Sequence, residues 1–136
     1  MSEKTFQLEI VTPKKTVFSS AVESFSAPGV IGGFQVLRSH APFLSSLKIG
    51  EVKILDPNGK EFRYSTSGGF VEVRENKVVM LAETAERSDE IDVERAKAAK
   101  ERAQKRVSEK KAETDLDRAR VALHRALNRL RTAGQV

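Results

Sequence analysis

Residues 67–96 have the sequence SGGFVEVRENKVVMLAETAERSDEIDVERA, and the pattern of side chains changes within this stretch. Phe70–Val73 consists of aromatic and β-branched residues with one polar residue, Glu72, and Val78–Leu81 is apolar, which is typical of short strands. Glu75-Asn76-Lys77 lies between the two segments and supplies turn-forming residues. The first half of the stretch therefore predicts two strands joined by a tight turn.

The second half of the same stretch has the features of a helix start. Ser88 and Asp89 are favourable N-cap residues, and Glu90 and Asp92 suit the first turn of a helix because its amino end is positively polarised. The composition changes near residue 85, so we predict a domain boundary there, with one domain over residues 1–87 and a second over 88–136.

The sequence before the boundary continues the strand pattern. Phe6, Leu8 and Ile10 alternate with polar residues, and Asp56-Pro57-Asn58-Gly59 separates the apolar segments Val52–Leu55 and Phe62–Thr66. Short strands at regular spacing, with turns between them, predict an antiparallel β-sandwich or flattened barrel over residues 1–87.

The sequence after the boundary has helical periodicity and contains neither glycine nor proline before Gly134. A polar stretch, Ser108 to Lys111, interrupts the periodicity, and Thr114 with Asp117 resembles a capping box that starts a second helix. We predict an antiparallel two-helix hairpin over residues 88–136. Its apolar stripes are Ala96, Ala99, Ala103 and Val107 in the first helix and Leu116, Ala119, Leu123, Leu127 and Leu130 in the second.

Because the connecting segment holds no helix breaker, residues 91–132 are also compatible with one continuous helix of about 60 Å. The alanine-rich first stripe buries little apolar area, whereas each buried leucine contributes about 1.5–3 kcal/mol. The folded hairpin and an extended form are therefore predicted to be close in free energy, as in a switch.

Composition excludes several classes of protein. The 136 residues include no cysteine, which rules out disulfides, thiolate metal sites and cysteine nucleophiles. The first residues lack the basic start and apolar run of a signal peptide, and the longest apolar run, Val78 to Ala82, is too short for a membrane span. We therefore expect a cytoplasmic-type compartment.

The net charge of +5 is concentrated in the predicted hairpin. Residues 1–87 carry 11 basic and 10 acidic side chains, whereas residues 88–136 carry 13 basic and 9 acidic ones, and no acidic residue follows Asp117. Such a surface suggests an acidic partner, a phosphate ligand or nucleic acid, and a solvated helix face remains the alternative.

No catalytic or metal-ligating constellation is recognisable. The two histidines, His40 and His124, belong to no HExxH or other spaced ligand set. Ser67-Gly68-Gly69 lacks the order of a nucleophile elbow, and Gly59-Lys60 lacks the spacing of a phosphate-binding loop. We therefore predict no catalytic residues, no metal site and no required cofactor.

Arginines at helical spacing are more informative. Arg95 and Arg102 are seven residues apart, Arg125 and Arg129 are four apart, and guanidinium groups are preferred binders of phosphate oxygens. A helical wheel places Arg125 and Arg129 away from the leucine stripe, beside the alanines of their own helix. If those alanines pack on the first helix, the arginines lie at the rim of the seam.

Several motifs in order resemble the epsilon subunit of F-type ATP synthases. They are Ser67-Gly68-Gly69-Phe70-Val71-Glu72-Val73, Asn76-Lys77-Val78, Leu81-Ala82-Glu83, His40-Ala41-Pro42 and Ile91-Asp92-Val93-Glu94-Arg95-Ala96. The resemblance covers essentially the whole chain. Members of that family usually have Pro-Gly before the histidine, whereas this chain has Arg38-Ser39.

The resemblance implies a non-catalytic rotor subunit on the cytoplasmic face of the bacterial plasma membrane, peripheral to it. The sandwich would dock on the gamma subunit and the ring of c subunits, coupling them in proton-driven ATP synthesis, with Ser39 and His40 among its contacts. The helical hairpin would extend toward the alpha and beta subunits and inhibit ATP hydrolysis.

The resemblance also implies that the folded hairpin binds ATP as a regulatory ligand, without hydrolysis. The residues that match such a site are Glu86, Ile91, Asp92, Arg95, Ala96, Arg102, Arg125 and Arg129. A ligand present at about 100 times its dissociation constant would stabilise the folded form by roughly 2.7 kcal/mol.

A nucleic-acid-binding module that uses the basic hairpin is the alternative function. Against it, residues 88–136 contain no aromatic side chain for base stacking, and nine acidic residues interrupt the surface. An enzyme is the weaker alternative, because nucleophile, base and metal sets are missing.

Overall fold

Ten strands and two helices form in the computed structural model, which describes residues 4–109 and 113–135. The chain divides into two compact units, residues 1–87 and 88–136. The strands are β1 (Phe6–Val11), β2 (Thr16–Val22), β3 (Ser24–Pro28), β4 (Gly33–Val36), β5 (Phe43–Leu47), β6 (Gly50–Leu55), β7 (Glu61–Thr66), β8 (Gly69–Arg74), β9 (Lys77–Ala82) and β10 (Ala85–Arg87). The helices are α1 (Val93–Glu109) and α2 (Glu113–Thr132).

The strands form two five-stranded sheets, in the orders β2-β1-β9-β8-β5 and β10-β7-β6-β3-β4. This arrangement confirms the predicted β-sandwich. One pairing departs from the prediction of an antiparallel sheet, because β1 and β9 run parallel, with Leu8 opposite Val78. These strands are far apart in sequence, so no turn constrains their relative direction.

The core of the sandwich follows from the alternation of apolar residues along the strands. Leu8 and Ile10 of β1, Phe25 of β3 and Met80 of β9 are completely buried between the sheets. Each such side chain contributes about 1.5–3 kcal/mol when it leaves water, so the sandwich holds a strong apolar core of its own.

Both predicted hairpins are present, and their turns have the expected chemistry. Asp56 Oδ1 accepts hydrogen bonds from the amides of Asn58 and Lys60, each at 2.9 Å, which closes the turn between β6 and β7. Glu75 and Asn76, with φ of 50° and 60°, form the turn between β8 and β9. Two consecutive residues with positive φ are typical of the tight turn that matches strand twist.

The start of α1 differs from the prediction. Residues Ala85–Arg87 pair with β7 as an edge strand, and Ser88–Glu90 forms a 3₁₀ turn. The N-cap is Asp92, whose Oδ1 accepts a hydrogen bond from the amide of Arg95 at 3.1 Å. The prediction of Ser88 and Asp89 as N-cap is therefore wrong, because strand pairing holds the chain extended up to Arg87.

The second unit is a pair of helices that contact each other. Since only residues 110–112 separate α1 from α2, the two helices run antiparallel, which confirms the predicted hairpin. Lys110 and Lys111 of the predicted connection, and the side chain of Thr114, lie outside the described residues. At the far end, Gly134 with φ of 78° terminates α2, and the amide of Gln135 donates to the carbonyl of Leu130 at 2.8 Å.

The seam of the hairpin is made of alanines. Ala96 and Ala103 of α1 and Ala119 and Ala126 of α2 are each at most 2% exposed. Of the leucines in α2, Leu130 is buried, while the other leucines of the predicted stripe are only half-buried. A seam of small side chains brings the helices close together but removes little apolar area from water.

Candidate functional site

The predicted ligand residues of α1 cluster around its first turn, where several have structural roles. Ile91 is buried, and the amide of Ala96, itself in the seam, donates to the carbonyl of Asp92 at 3.0 Å. The Asp92 carboxylate caps the helix. The sequence Ile91 to Ala96 is therefore explained in part by helix initiation, and Arg95 is exposed beside it.

An arginine directly precedes each buried alanine of the seam. The four pairs are Arg95-Ala96, Arg102-Ala103, Arg118-Ala119 and Arg125-Ala126. One residue is about 100° of helical rotation, so each arginine lies about a quarter of a turn to one side of the seam. The predicted placement of Arg125 at the rim of the seam follows from this spacing.

These four arginines, two from each helix, lie on the same face of the hairpin. An antiparallel pair is related by a two-fold axis normal to the plane of the hairpin, so flanks with the same rotational offset point the same way. Arg106 of α1 and Arg118 of α2 accordingly line one groove, of about 370 Å³, beside Ala119. We call this surface the arginine face; its members are Arg95, Arg102, Arg106, Arg118, Arg125 and Arg129.

Exposure differs along the arginine face. Arg95, Arg102 and Arg125 are exposed, whereas Arg129 is half-buried and makes an interaction within the chain. The groove at the other end also contains two carboxylates, those of Glu109 and Asp115. The face can therefore bind a multiply charged anion, with the acidic end being less favourable for it than the end near Arg95.

Arg106 and Arg118 were missed as members of this face by the sequence reasoning. Their signal was present, since Arg106 follows Arg102 by four residues and Arg118 precedes Arg125 by seven. What the pattern alone did not define was the antiparallel pairing that brings the two sets of arginines together.

Glu86 lies in the first unit, in strand β10, where its backbone is opposite Ser65. Its side chain is half-buried and takes part in an interaction within the chain. The grouping of Glu86 with the arginines of the hairpin stays a prediction.

The second predicted contact region is the loop that carries Ser39 and His40. Ser39 has φ of 60°, and its amide donates to Asn76 Oδ1 at 2.8 Å. The His40 amide donates to the carbonyl of Leu37 at 3.2 Å, and its ring lies edge-on to Phe43 with centroids 5.8 Å apart. The loop therefore has a defined conformation at the surface of the sandwich.

Among residues 4–109 and 113–135, no group of three or more histidine or acidic side chains is arranged to hold a metal ion. In the same described part of the chain, no helix is both long enough and apolar enough to cross a membrane.

Two family models match the chain, one for each unit. Residues 5–88 match the model described as the ATP synthase delta/epsilon chain β-sandwich domain. Residues 89–134 match the ATP synthase delta/epsilon chain long α-helix domain.

Proteins described as ATP synthase epsilon chains are similar over nearly the full length. The one from Pelotomaculum thermopropionicum is 57% identical over 99% of this chain and 100% of its own length. The one from Desulforamulus reducens is 49% identical over 96% and 98%, and the one from Nitratidesulfovibrio vulgaris is 51% identical over 97% and 98%.

Two solved structures share the fold. A chain of the mitochondrial ATP synthase of Euglena gracilis, solved as OSCP/F1/c-ring, superposes with a TM-score of 0.79 at 24% identity, over 88% of this chain and 76% of that one. A chain of the Tetrahymena thermophila mitochondrial ATP synthase central stalk and c-ring gives a TM-score of 0.59 at 14% identity, over 93% and 95%.

Proposed function

The chain belongs to the epsilon-chain family of the F-type ATP synthases, and we propose that it couples the gamma subunit to the c-ring and regulates ATP hydrolysis through its hairpin. In this proposal the protein is a non-catalytic subunit of the central stalk. It serves proton-driven ATP synthesis and is peripheral to the bacterial plasma membrane, on its cytoplasmic face.

The sandwich suits the coupling role because its core is filled by large apolar side chains and its charge is nearly balanced. A closely packed core of this kind resists internal rearrangement, as a part that carries torque would have to. The two solved proteins with the same fold are described as parts of F1/c-ring and central-stalk assemblies of ATP synthases. We propose the same position for this chain, with Ser39 and His40 in contact with gamma or the c-ring.

The repeated Arg-Ala pairs of the hairpin are the observation that carries the regulatory proposal. The alanines let the helices approach closely without a large apolar contribution to stability. The arginines beside them bring like charges together on one face, which opposes closure until an anion binds. In this proposal the bound anion shifts the balance toward the closed hairpin, and its loss shifts the balance toward the open form.

We propose ATP as that anion, bound through Arg95, Arg102, Arg125 and Arg129. Guanidinium groups from both helices bridge the phosphates, and so ATP favours the closed hairpin over any form in which the helices separate. When the free ATP concentration is about 100 times the dissociation constant, binding stabilises the closed hairpin by roughly 2.7 kcal/mol. The ligand is a regulator in this proposal and is not hydrolysed.

A melting experiment tests the ATP proposal. Millimolar ATP should raise the melting temperature of the isolated chain, and Arg125→Ala with Arg129→Ala should remove most of the increase. The matched control is Arg120→Ala with Arg131→Ala, which removes the same charge from exposed positions of α2 outside the arginine face. If ATP produces no increase in the parent protein, or the control pair abolishes it equally, the ATP proposal is wrong.

A disulfide across the seam tests the inhibitory role, because the natural chain contains no cysteine. Ala103→Cys with Ala119→Cys places one thiol on each helix at buried seam positions. Oxidation should hold the hairpin closed and raise ATP hydrolysis by the assembled synthase, and reduction should reverse the effect. Equal hydrolysis rates in the two redox states would count against inhibition by an opened hairpin.

Nucleic-acid binding by the basic charges of the whole hairpin remains the alternative function, because phosphodiesters would be bound by cationic side chains on any of its faces. It predicts a steep loss of affinity with salt and little difference between the Arg125/Arg129 and Arg120/Arg131 variants. The ATP proposal predicts a large difference between these variants.

A further inference from the structure

We propose that Asn76 is a positioning residue that holds the Ser39–His40 loop in the conformation in which it contacts its partner. The proposal rests on the proposed contact of this loop with the gamma subunit or the c-ring. It assigns to a turn residue of another hairpin the task of preforming that contact surface. Asn76 itself lies between β8 and β9.

The loop adopts a conformation that its own sequence does not favour. Ser39 has φ of 60°, in the left-handed region, where a Cβ crowds the following carbonyl group. Serine is therefore disfavoured there relative to glycine, and a contact from outside the loop adds to the hydrogen bond that the His40 amide donates to the Leu37 carbonyl. The Ser39 amide makes that contact, by donating to Asn76 Oδ1 at 2.8 Å.

Asn76 is fixed in turn by the rest of the sandwich. Its Nδ2 donates to the carbonyl of Thr5 at 3.0 Å, and its own carbonyl accepts from the amide of Gln7 at 3.2 Å. Both ends of the side-chain amide are used, so the orientation of the amide is determined by its partners. Asn76 thus ties the 37–40 loop to the start of β1 and to the β8–β9 turn.

The residues that this bond positions are at the surface. Leu37 is 53% exposed, and Leu37 and Arg38 line a groove of about 450 Å³ together with Lys4. The His40 amide donates a hydrogen bond to the Leu37 carbonyl at 3.2 Å, so His40 belongs to the same turn. Because the loop is already ordered before it meets a partner, less conformational entropy is lost on binding.

Asn76→Gly is the informative variant, since it removes the side chain and still allows the positive φ of 60° at that position. Glu75→Gly is the matched control, because Glu75 has φ of 50° in the same turn and its side chain is exposed. Asn76→Asp is the conservative variant. It keeps an acceptor for the Ser39 amide, but it replaces the donor to the Thr5 carbonyl with a carboxylate oxygen that this carbonyl repels.

The first measurement is hydrogen exchange of the Ser39 amide by NMR in the isolated full chain. Asn76→Gly should speed this exchange about threefold to tenfold, as expected for loss of one hydrogen bond, while Glu75→Gly should leave it near the parent rate. Asn76→Asp keeps the acceptor but loses the bond to Thr5 that orients it, so its rate should lie between those of the parent and Asn76→Gly. Melting temperatures of the two glycine variants, measured in parallel, separate this local effect from general destabilisation. Unchanged exchange at Ser39 in Asn76→Gly would overturn the proposal whatever the protein binds.

The second measurement is the affinity of each variant for an ATP synthase from which the epsilon subunit has been removed. Asn76→Gly should weaken binding about threefold to tenfold, and Asn76→Asp should weaken it less. His40→Ala reports on the loop contact itself.

The variants distinguish the positioning role of Asn76 from the contact that the loop makes with its partner. If His40→Ala weakens binding and Asn76→Gly does not, the positioning role is wrong and the loop contact stands. If neither variant changes the affinity, the loop contact is wrong, and the positioning role falls with it.

Discussion

The two units of this chain are held together in different ways. The sandwich buries large side chains such as Phe25, Leu8 and Met80 completely, whereas the buried apolar residues of the two helices are four alanines and Leu130. A core of large side chains loses much apolar contact when it rearranges, while a seam of alanines loses little. The sandwich therefore resists rearrangement, and we expect the hairpin to open more readily.

The two units also differ in net charge. Residues 1–87 carry a net charge of +1, and residues 88–136 carry +4. In the hairpin, arginines flank the seam on one face, and repulsion between these charges opposes the pairing of the helices. The apolar contact that holds the helices together is already weak. A ligand that neutralises this face changes the stability of the hairpin much more than that of the sandwich.

The largest effect is expected from Phe25→Ala in the sandwich. Phe25 is completely buried, so its truncation should lower the free energy of unfolding by about 3–5 kcal/mol. The single tyrosine, Tyr64, is buried in the sandwich and reports its unfolding by fluorescence. Phe70→Ala is the control, because Phe70 is 40% exposed and should cost much less. Equal losses in the two variants would contradict the assignment of the core.

A smaller effect is expected from Gly69→Ala. Gly69 has φ of 150°, and a Cβ there would overlap the carbonyl oxygen of Leu81 in the neighbouring strand. Backbone strain and steric overlap together should lower the free energy of unfolding by about 2–4 kcal/mol, measured by Tyr64 fluorescence. Gly134→Ala is the counterpart in the hairpin, where a Cβ meets nothing within 4 Å and only the φ of 78° opposes it. A larger loss of unfolding free energy in Gly134→Ala than in Gly69→Ala would contradict this prediction.

The smallest effect is expected from Asp92→Ala at the start of α1. Loss of the cap on the Arg95 amide should destabilise the hairpin by about 1 kcal/mol. The change should be visible in helical circular dichroism and absent from the Tyr64 transition. Asp92→Asn retains the capping oxygen and should be nearly neutral for folding. If Asp92→Asn nevertheless weakens ATP binding as much as Asp92→Ala, the carboxylate acts on the ligand as well as on the helix.

The fold was predictable from local patterns where a pattern determines structure by itself. Alternation in Phe6–Ile10 defined the buried face of β1, and Asp56 and Gly59 defined the turn between β6 and β7. Helical periodicity without glycine or proline gave two helices. Each of these signals acts between residues that are close in sequence, so no knowledge of the tertiary arrangement was needed.

The features that were missed depend on contacts between distant segments. Strand β10 forms because Ala85–Arg87 pairs with β7, and this pairing moves the helix start from Ser88 to Asp92. Arg106 and Arg118 join one groove only once the helices pair. Residue types alone do not specify such pairings.

Hydrogen exchange of the intact chain, with and without ATP, tests the central contrast most directly. Without ATP, amides of α1 and α2 should exchange faster than those of the central strands β1, β8 and β9. ATP at about 100 times its dissociation constant should slow hairpin exchange by up to about 100-fold and leave the strands unchanged, whereas tripolyphosphate at the same concentration controls for charge alone. A hairpin already protected as strongly as the central strands, and unaffected by ATP, would contradict the account.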